Sequence, residues 1–590
     1  MSRVPRTPLI ILACATLAAL PSLRVGFFAD DLLHVTILSG RGFTVLPIAP
    51  IDMFRFAPGD PAWTARMIRE SAYPWWSDLH FRGAFFRPLS ALTHILDYRL
   101  WGANPVGYHA TNILLWLFVL LAAWSLIRRL APTPRAAMLS LLVFALADAR
   151  ALVIVWIANR NALVATALAF AAVAAWDAYR REGRKSRAVL SWVLLGLALL
   201  GGETALGGLA LLFGYEVLRL PDGRPFGARR LAWTVPFVAI AAIYVAWYKF
   251  AGYGVSGSGM YLDPATNPGV WLSAAAVRFP ALLAGLLWGW PLDLWINGGA
   301  TQRTLMVGAI LLLPVSIAVF TLVVRRHNAL AGLALGGALA LIPVTATFPS
   351  ARLLLLPGLA GAVLIGAYLD EAWPLRSAGV LRGTAGVLLG LRHVILAPLM
   401  LVYTIALLNG AFRRVSDDIV SSPWPADVRD RDVVLLNAPT WVSATYLRPY
   451  LDFAGKPFPK TSYLLNLSPY PAAITRTGPS TFDLRFHCGE MLTTEFERVQ
   501  RGSPLPAGSS VDAGLFRANV LEAGSVGPKA VRFEFGQSLD HGPLFVQWSY
   551  SRYLPVTIPP IGSILELPAL AQGIGDMHAP APDCGIKAAP

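Results

Sequence analysis

Residues 108–129 read YHATNILLWLFVLLAAWSLIRR, an apolar run that ends in two arginines. A helix needs about 20 such residues to cross the hydrocarbon core of a membrane. Comparable runs recur along the 590-residue chain, which is 55% hydrophobic and only 14% charged. The composition therefore predicts a polytopic α-helical membrane protein and excludes an ordinary soluble domain.

Basic residues indicate the topology of these runs. They lie in short clusters between apolar segments, such as RREGRKSR at 180–187 and RLPDGRPFGARR at 219–230. Short loops rich in arginine and lysine remain in the cytoplasm, so the net charge of +15 reflects topology rather than nucleic-acid binding. If residues 271–295 do not cross the membrane, a topology of about eleven transmembrane helices with a cytoplasmic N-terminus places every short basic loop in the cytoplasm. That segment is interrupted by charged residues and prolines, and we expect it to lie in the interface or to re-enter.

The first 23 residues, MSRVPRTPLIILACATLAALPSL, have the basic start and apolar core of a signal peptide. We favour a retained first helix, because no clear cleavage site precedes the acidic pair in GFFADDLLH at 26–34. The localisation expected from these features is a bacterial-type inner or plasma membrane.

The chain divides into two parts by hydropathy. Residues 1–411 form the predicted transmembrane domain, with a large first extracytoplasmic loop at about 28–105, and residues 412–590 form a β-rich soluble domain outside the cytoplasm. Segments such as RDVVLLNAP (431–439), VRFEF (531–535) and GPLFVQWSY (542–550) are typical of strands between turns. Within this domain Cys488 and Cys584 are either a disulfide or two free thiols.

In this topology, ionisable residues from several helix ends fall on the outer side of the membrane. Such residues are costly near the hydrocarbon core and are therefore candidates for function. Together they offer carboxylates to accept a proton and guanidinium groups to hold an anionic leaving group. The candidates are Asp30, Asp31, His34, His80, Arg87, His94, Asp97, His109, Asp148, Arg150, Arg160, Glu203 and Arg352.

Each candidate also has a purely structural interpretation. The acidic pair is compatible with a solvated helix boundary, and Glu203 with a residue that emerges at the membrane interface. Arg160 is compatible with an anchor that snorkels from a helix end.

Five stretches, in order, resemble GT-C glycosyltransferases of the protein O-mannosyltransferase and tetratricopeptide-associated O-mannosyltransferase type. After the DD of the first loop come FRPLSALTHILDYRLWGANPVGYHATNILLW (86–116), VIVWIANRNALVATALAF (153–170), GGETALGGLALLFGYE (201–216) and FPSARLLLLPGLAGAVL (348–364). The sequence departs from the family pattern at Ala147, Asp148, Gly202 and Ala351, and no 34-residue tetratricopeptide repeat follows.

The resemblance implies transfer of a sugar, such as mannose or another hexose, from a polyprenyl-phosphate donor to a glycan or protein acceptor, with inversion at the anomeric carbon. It makes Asp30 the general base and Asp31 its partner, and leaves open which of the two takes the proton. The implied donor-phosphate ligands are Arg352, Arg160 and Arg87, and the implied supporting residues are Glu203, His109 and His34.

No Asp/His spacing indicates a tight metal site, so we expect no required cofactor and at most a weakly bound divalent ion. Two alternatives from other classes are a transporter or flippase of lipid-linked intermediates and a catalytically silent scaffold with a binding domain.

Overall fold

The computed structural model describes residues 6–40, 48–218, 232–373, 380–574, 577–579 and 584. The N-terminal part is helical, and its helices of ten residues or more are Arg6–Ala19, Asp30–Ser39, Pro88–Trp101, Pro105–Leu130, Pro134–Ala145, Arg160–Glu182, Lys185–Gly201, Leu206–Leu218, Val235–Phe250, Pro268–Trp288, Gly299–Val324, Asn328–Val344, Gly358–Ala372, Val380–Gly390 and Ala397–Val420. Shorter helices are Pro61–Arg69 and Ala151–Val155, and a π-helical segment, Leu391–Leu396, joins the last two long ones.

Local sequence explains where several of these helices begin. Asn104, Thr133 and Asn267 each precede a proline and accept a hydrogen bond from a backbone N–H of the first turn. Proline at the first helical position lacks only an N–H that would stay unpaired there, and an Asn or Thr side chain caps a neighbouring one. These short X-Pro sequences therefore fix helix starts within an otherwise apolar chain.

Within the described residues, six helical stretches are long and apolar enough to cross a membrane: Thr7–Arg24, Pro105–Leu130, Ile157–Glu182, Pro268–Trp288, Gly299–Val324 and Arg382–Val420. A bent pair, Pro134–Ala145 with Asp148–Val155, makes a seventh. The protein is thus a multi-pass membrane protein, whereas the predicted count of eleven is not confirmed. The basic loop predicted at 219–230 lies outside the described residues.

The N-terminal helix belongs to the helical bundle. Leu12 and Ala15 are buried in the same apolar core as the other membrane helices.

Residues on both sides of the Pro268–Trp288 helix contact the segment 346–350. Leu262, which precedes the helix, donates its N–H to the carbonyl of Ala346, and Asp293, which follows it, accepts a 2.7 Å hydrogen bond from the Ser350 hydroxyl. The helix itself is long and apolar enough for a span. The expectation that residues 271–295 do not cross the membrane therefore stays a prediction.

The C-terminal part is β-rich, as predicted. Its strands are numbered after three strands of the N-terminal part, β1 Arg55–Pro58, β2 Arg82–Ala84 and β3 Gly254–Ser256. They are β4 Asp432–Leu435, β5 Thr461–Leu464, β6 Ala472–Gly478, β7 Thr481–Phe486, β8 Ser510–Asp512, β9 Phe516–Ala523, β10 Pro528–Phe535, β11 Leu544–Ser549, β12 Arg552–Pro555, β13 Ile564–Leu567, β14 Gln572–Ile574 and β15 Met577–Ala579. Six of them form an antiparallel sheet in the order β13-β6-β7-β10-β9-β8, and four form a mixed sheet, β12-β11-β4-β5, in which β4 is parallel to both neighbours. Two short helices, Trp441–Thr445 and Leu447–Phe453, follow β4.

The sequence segments chosen as strands coincide with β4, β10 and β11. Alternating burial along β6, β7 and β9 gives these strands one buried face. The last membrane helix continues to Val420, beyond residue 411, where the sequence places the domain boundary. Cys488 and Cys584 form a disulfide, with Cα atoms 5.9 Å apart.

The loop region between the first membrane helix and the Pro105–Leu130 helix packs against the C-terminal domain. Three strands of this region, Arg55–Pro58, Arg82–Ala84 and Gly254–Ser256, form a small antiparallel sheet. Trp75 and Trp76 are only 2% and 1% exposed, and their indole N–H groups donate to the carbonyls of Leu465 and Glu497. These tryptophans are therefore buried contacts between this loop and the C-terminal domain.

Candidate active site

The turn before Asp30 has a strained backbone. Ala29 adopts φ +50° and ψ −119°, a conformation that residues with a side chain rarely take. The neighbouring Phe28 ring stacks on Phe412 of the last membrane helix, with centroids 3.6 Å apart. Packing thus holds the strained turn in place and starts a helix with two consecutive carboxylates.

Asp30 and Asp31 lie in different environments. Asp31 is 1% exposed, and its two carboxylate oxygens accept backbone N–H groups of Phe28, at 3.1 Å, and Ala158, at 2.6 Å. Asp30 instead lines a large cavity and accepts a hydrogen bond from the Tyr446 hydroxyl. Of the pair, Asp30 is the residue that a substrate in the cavity can reach.

Burial raises the pKa of both carboxyl groups above their usual range. For Asp30 the Tyr446 hydrogen bond and the charges of Arg352 and Arg87 oppose this effect without cancelling it. For Asp31 burial raises the pKa to about 8, against the two backbone hydrogen bonds. A raised pKa makes a carboxylate a better proton acceptor near neutral pH.

The cavity has a volume of about 870 Å³ and lies between the membrane helices, the first loop and the C-terminal domain. Its wall carries both carboxylates and guanidinium groups on an otherwise mostly apolar surface. The charged residues that line it are Asp30, Asp148, Arg150, Asp293, Arg352 and Arg392.

An apolar stripe from the last membrane helix forms one wall of the cavity. Lining residues occur at every fourth position, at Leu396, Met400, Thr404, Leu408 and Phe412. Residues four apart share a helix face, and at 1.5 Å per residue these five span about 24 Å. Because Phe412 stacks against the residue two positions before Asp30, the stripe ends beside the carboxylate.

Arg352 is a cavity-lining cation without a carboxylate partner among the described residues. Its guanidinium donates a long 3.4 Å hydrogen bond to the side-chain oxygen of Asn159 and lies 5.4 Å from the Trp156 ring centroid. The preceding residues are held by Asp293, which accepts from the Ser350 hydroxyl and, at 3.0 Å, from Ala351 N–H. The arrangement directs an uncompensated positive charge to the cavity.

Arg160 does not reach the cavity. Its side chain is fully buried and forms a 2.6 Å ion pair with Asp97. It also donates to the Asn112 side-chain oxygen at 2.7 Å and the Tyr108 carbonyl at 2.9 Å. A guanidinium engaged on three sides has few donors left for a ligand, and Arg160, predicted as a phosphate ligand, is not among the described residues that line the cavity.

Arg87 and Glu203, predicted for separate roles, form one ion pair of 2.8 Å. The Arg87 guanidinium also lies 4.4 Å from the Phe85 ring centroid, and Tyr248 donates to the other Glu203 oxygen at 3.3 Å. Neither charged residue of the pair lines the cavity. Arg87 therefore acts on Asp30 only through its charge.

The histidines are spread over different environments. His34 is buried, with its ring centroid 5.0 Å from that of His94. Burial and the nearby arginines lower the pKa of His34 to about 3, so this imidazole is neutral at physiological pH. His109 is buried in the Pro105–Leu130 helix, and His80 is largely exposed. None of these imidazoles is among the described residues that line the cavity.

Among the polar lining residues that sequence reasoning missed are Arg392, Asp293 and Tyr446. Arg392, in the π-helical segment, donates to both Asp148 oxygens at 3.0 and 2.9 Å and thereby neutralises this carboxylate. A charged residue within an apolar run is itself a signal of function, and so is a π-bulge, so Arg392 and Asp293 could have been found. No local signal marks Tyr446, because only the tertiary fold brings it to the cavity.

Across the described residues, no group of three His, Cys, Asp or Glu side chains is placed to hold a metal ion. Of the cavity carboxylates, Asp148 pairs with Arg392, Asp293 accepts from Ser350 and Ala351, and Asp30 accepts from Tyr446 with one of its two oxygens.

No protein-family model and no curated protein matches this sequence. Among solved structures, it is similar to the apo oligosaccharyltransferase of Archaeoglobus fulgidus, with 13% identity and a TM-score of 0.40 over 77% of this chain. The same archaeal enzyme, AglB, in complex with an inhibitory peptide and a dolichol-phosphate gives 12% identity and a TM-score of 0.38. In both cases this chain covers 64% of the archaeal chain, which is less than two thirds of its length.

A third similar structure is ArnT from Cupriavidus metallidurans bound to undecaprenyl phosphate. It has 16% identity and a TM-score of 0.39, and the match covers 76% of this chain and 85% of ArnT. These structural neighbours are GT-C membrane glycosyltransferases, the class that the sequence motifs resemble. Since the TM-scores lie below 0.5, the activity has to be argued from the cavity itself.

Proposed function

We propose that this protein is a membrane glycosyltransferase that moves a sugar, such as a hexose, from a polyprenyl-phosphate donor to an extracytoplasmic glycan or protein acceptor. The observation that carries the proposal is one cavity in which a carboxylate, Asp30, and an unpaired guanidinium, Arg352, lie at the end of an apolar stripe. Such a cavity has a place for each part of the donor: lipid, phosphate and sugar.

The apolar stripe fits the donor's lipid. It follows a membrane helix for about 24 Å and consists of aliphatic and aromatic side chains apart from Thr404. Lipid packed along this face keeps the phosphate near Asp30 and Arg352, where the charged part of the cavity begins.

Arg352 is the residue we assign to the phosphate. A guanidinium binds phosphate through paired, charge-assisted hydrogen bonds. It also stabilises the negative charge that develops on the phosphate oxygen as the glycosidic bond breaks. Asp148 already compensates Arg392, so Arg352 contributes more of its charge to a ligand.

Asp30 is the residue we assign as general base. The Tyr446 hydroxyl occupies Oδ1 and leaves Oδ2 without a hydrogen bond from any described residue. The acceptor hydroxyl gives its proton to Asp30 while its oxygen attacks the anomeric carbon. The bond between that carbon and the phosphate oxygen breaks, and its electron pair stays on the phosphate. A single displacement of this kind inverts the anomeric centre.

The other predicted site residues support this centre. Asp31 ties the strained turn to Ala158, and Arg160 with Asp97 fixes the neighbouring helix start. The Arg87–Glu203 pair, His34 and His109 belong to the buried surroundings of the site. We expect no required cofactor and at most a weakly bound divalent ion, which is tested by repeating the transfer assay with and without EDTA.

The expected orientation has the N-terminus in the cytoplasm and the C-terminal domain outside, in a bacterial-type inner membrane. The positive-inside distribution of the basic loops supports it. In this orientation the cavity opens on the side on which the acceptor is found.

Deletion of the gene and complementation test the proposed activity. The deletion strain should accumulate a polyprenyl-phosphate sugar while one surface glycan or glycoprotein loses a hexose-sized unit, both measured by mass spectrometry. Wild type and the exposed control Asp430→Asn should restore both signals, whereas Asp30→Asn should restore neither.

Two results would contradict the proposal. If deletion changes neither the donor pool nor any glycan, the protein is not a transferase of this kind. If Asp30→Asn restores both signals as well as wild type, the data favour the scaffold or flippase alternative.

A further inference from the structure

Tyr446 reaches Asp30 from the C-terminal domain, across 416 positions of sequence. Its side chain is 4% exposed, and its hydroxyl donates to Asp30 Oδ1. A buried tyrosine hydroxyl normally needs a hydrogen-bond partner, and here that partner is the proposed base. The contact therefore joins the two parts of the protein at the reacting carboxylate.

The surrounding packing fixes the position of this tyrosine. Tyr446 lies between the two short helices Trp441–Thr445 and Leu447–Phe453, and the Trp441 ring packs edge-on against it at 5.5 Å. From the second helix, Phe453 packs edge-on against Phe27 of the turn before Asp30, at 5.9 Å. The Phe27–Phe453 contact thus joins the helix that follows Tyr446 to the strained turn before Asp30.

We infer that Tyr446 is a positioning residue, which orients the Asp30 carboxylate so that Oδ2 faces the cavity and makes the C-terminal domain part of the catalytic centre. This inference rests on the proposed function for its catalytic meaning. The hydrogen bond between Asp30 and Tyr446 does not depend on that proposed function.

The hydrogen bond has a measurable electrostatic consequence. A donor to a carboxylate favours its ionised form, so Tyr446 opposes the effect of burial on Asp30. Loss of the hydroxyl should make Asp30 retain its proton to higher pH. The other charged or titratable groups that act on Asp30 or on Tyr446 are Arg352, Arg87, Asp31 and Tyr450.

Carbodiimide labelling measures this effect without any substrate. Dicyclohexylcarbodiimide reacts with protonated carboxyl groups, so the extent of labelling of Asp30 against pH, measured by peptide mass spectrometry, gives its titration midpoint. In Tyr446→Phe we expect the midpoint to rise by about 1–2 pH units, the equivalent of one hydrogen bond to a charged group.

Tyr463→Phe is the matched control. Tyr463 lies in the same domain and donates to the carbonyl of Arg69 in the first loop at 2.6 Å. Its substitution removes an interdomain hydrogen bond of the same kind but at a distance from Asp30. The Asp30 midpoint should therefore stay at the wild-type value in this variant.

Incorporation of 3-fluorotyrosine at position 446 covers the case in which Tyr446→Phe fails to fold. This analogue keeps the shape of tyrosine but is a stronger donor, so it should lower the midpoint. The expected signs are thus opposite for the two variants. An unchanged midpoint in both, or an equal rise in Tyr463→Phe, overturns the inference.

The proposed function can fail separately. If Asp30→Asn leaves sugar transfer intact, the function is wrong whatever the labelling shows. If transfer requires Asp30, kcat of Tyr446→Phe should fall more at pH 6 than at pH 9. At pH 6 the raised pKa leaves more of Asp30 protonated and unable to accept a proton, whereas at pH 9 Asp30 is ionised again. A pH-independent loss would indicate only a structural role for Tyr446.

Discussion

Replacing Asp30 and Asp31 by asparagine, one at a time, should separate catalysis from stability. Asp30→Asn retains an oxygen that can accept from Tyr446 but removes the group that takes the proton. Asp31→Asn retains one acceptor for the two backbone N–H groups of Phe28 and Ala158 and leaves the other facing an amide NH2. The same Asp-to-Asn substitution should therefore remove a proton acceptor at position 30 and a backbone hydrogen bond at position 31.

The magnitudes follow from these contacts. A general base contributes about 10²- to 10⁴-fold in rate, or about 3–5.5 kcal/mol of transition-state stabilisation. Asp30→Asn should lose an amount in this range and melt close to wild type. A buried N–H left without an acceptor costs about 1–3 kcal/mol, so Asp31→Asn should lower stability by this amount.

Both variants are purified in lipid nanodiscs for two measurements. Single-turnover transfer is measured with the donor that accumulates in the deletion strain. The apparent melting temperature is measured by intrinsic tryptophan fluorescence, with Asp430→Asn as the exposed control.

The opposite pattern would refute the reasoning. Transfer by Asp30→Asn at more than a tenth of the wild-type rate would show that Asp30 is not the base. Loss of transfer in Asp31→Asn at an unchanged melting temperature would give that role to Asp31.

Three further predictions concern charge, pH and the disulfide. Arg352→Gln should weaken binding of undecaprenyl phosphate about tenfold or more in a ligand-competition assay. Equal lipid affinity in wild type and Arg352→Gln would contradict the phosphate assignment. Arg160→Gln instead leaves a buried carboxylate unpaired and should cost about 3–5 kcal/mol of stability. Because the folded-state pKa of Asp31 is raised to about 8, the folded state binds this proton more tightly than the unfolded state, so its contribution to stability is lost as pH rises from about 4 to 8. The melting temperature should fall over this window, and a fall of the same size in Asp31→Asn would argue against Asp31 as its source. The Cys488–Cys584 disulfide closes a sequence separation of 96. Its reduction should destabilise the C-terminal domain by up to about 4.7 kcal/mol. An unchanged melting transition after complete reduction would contradict this prediction.

Hydropathy and charge were sufficient to predict the membrane class, most helix positions and the β-rich C-terminal part. These features depend on local composition, which a sequence displays directly. The number of spans was harder to predict, because hydropathy also marks helices such as Val235–Phe250 that are shorter than a membrane crossing usually requires.

The candidate site was predictable only in part. The sequence identified Asp30, Asp148, Arg150 and Arg352, which the fold brings to one cavity. It could not distinguish Asp30 from Asp31, since consecutive helical residues point about 100° apart and the direction of each depends on the rotation of the helix. It also could not separate the free Arg352 from the neutralised Arg160, because the partner of Arg160, Asp97, lies on another helix.

Under the proposed function, the contact between Tyr446 and Asp30 also links activity to the order of synthesis. The ribosome makes Asp30 first and its partner 416 residues later. A chain whose membrane helices are already inserted still lacks the group that orients its base until the short helices around Tyr446 have folded. A chain truncated before Tyr446 should therefore stay inactive in the membrane.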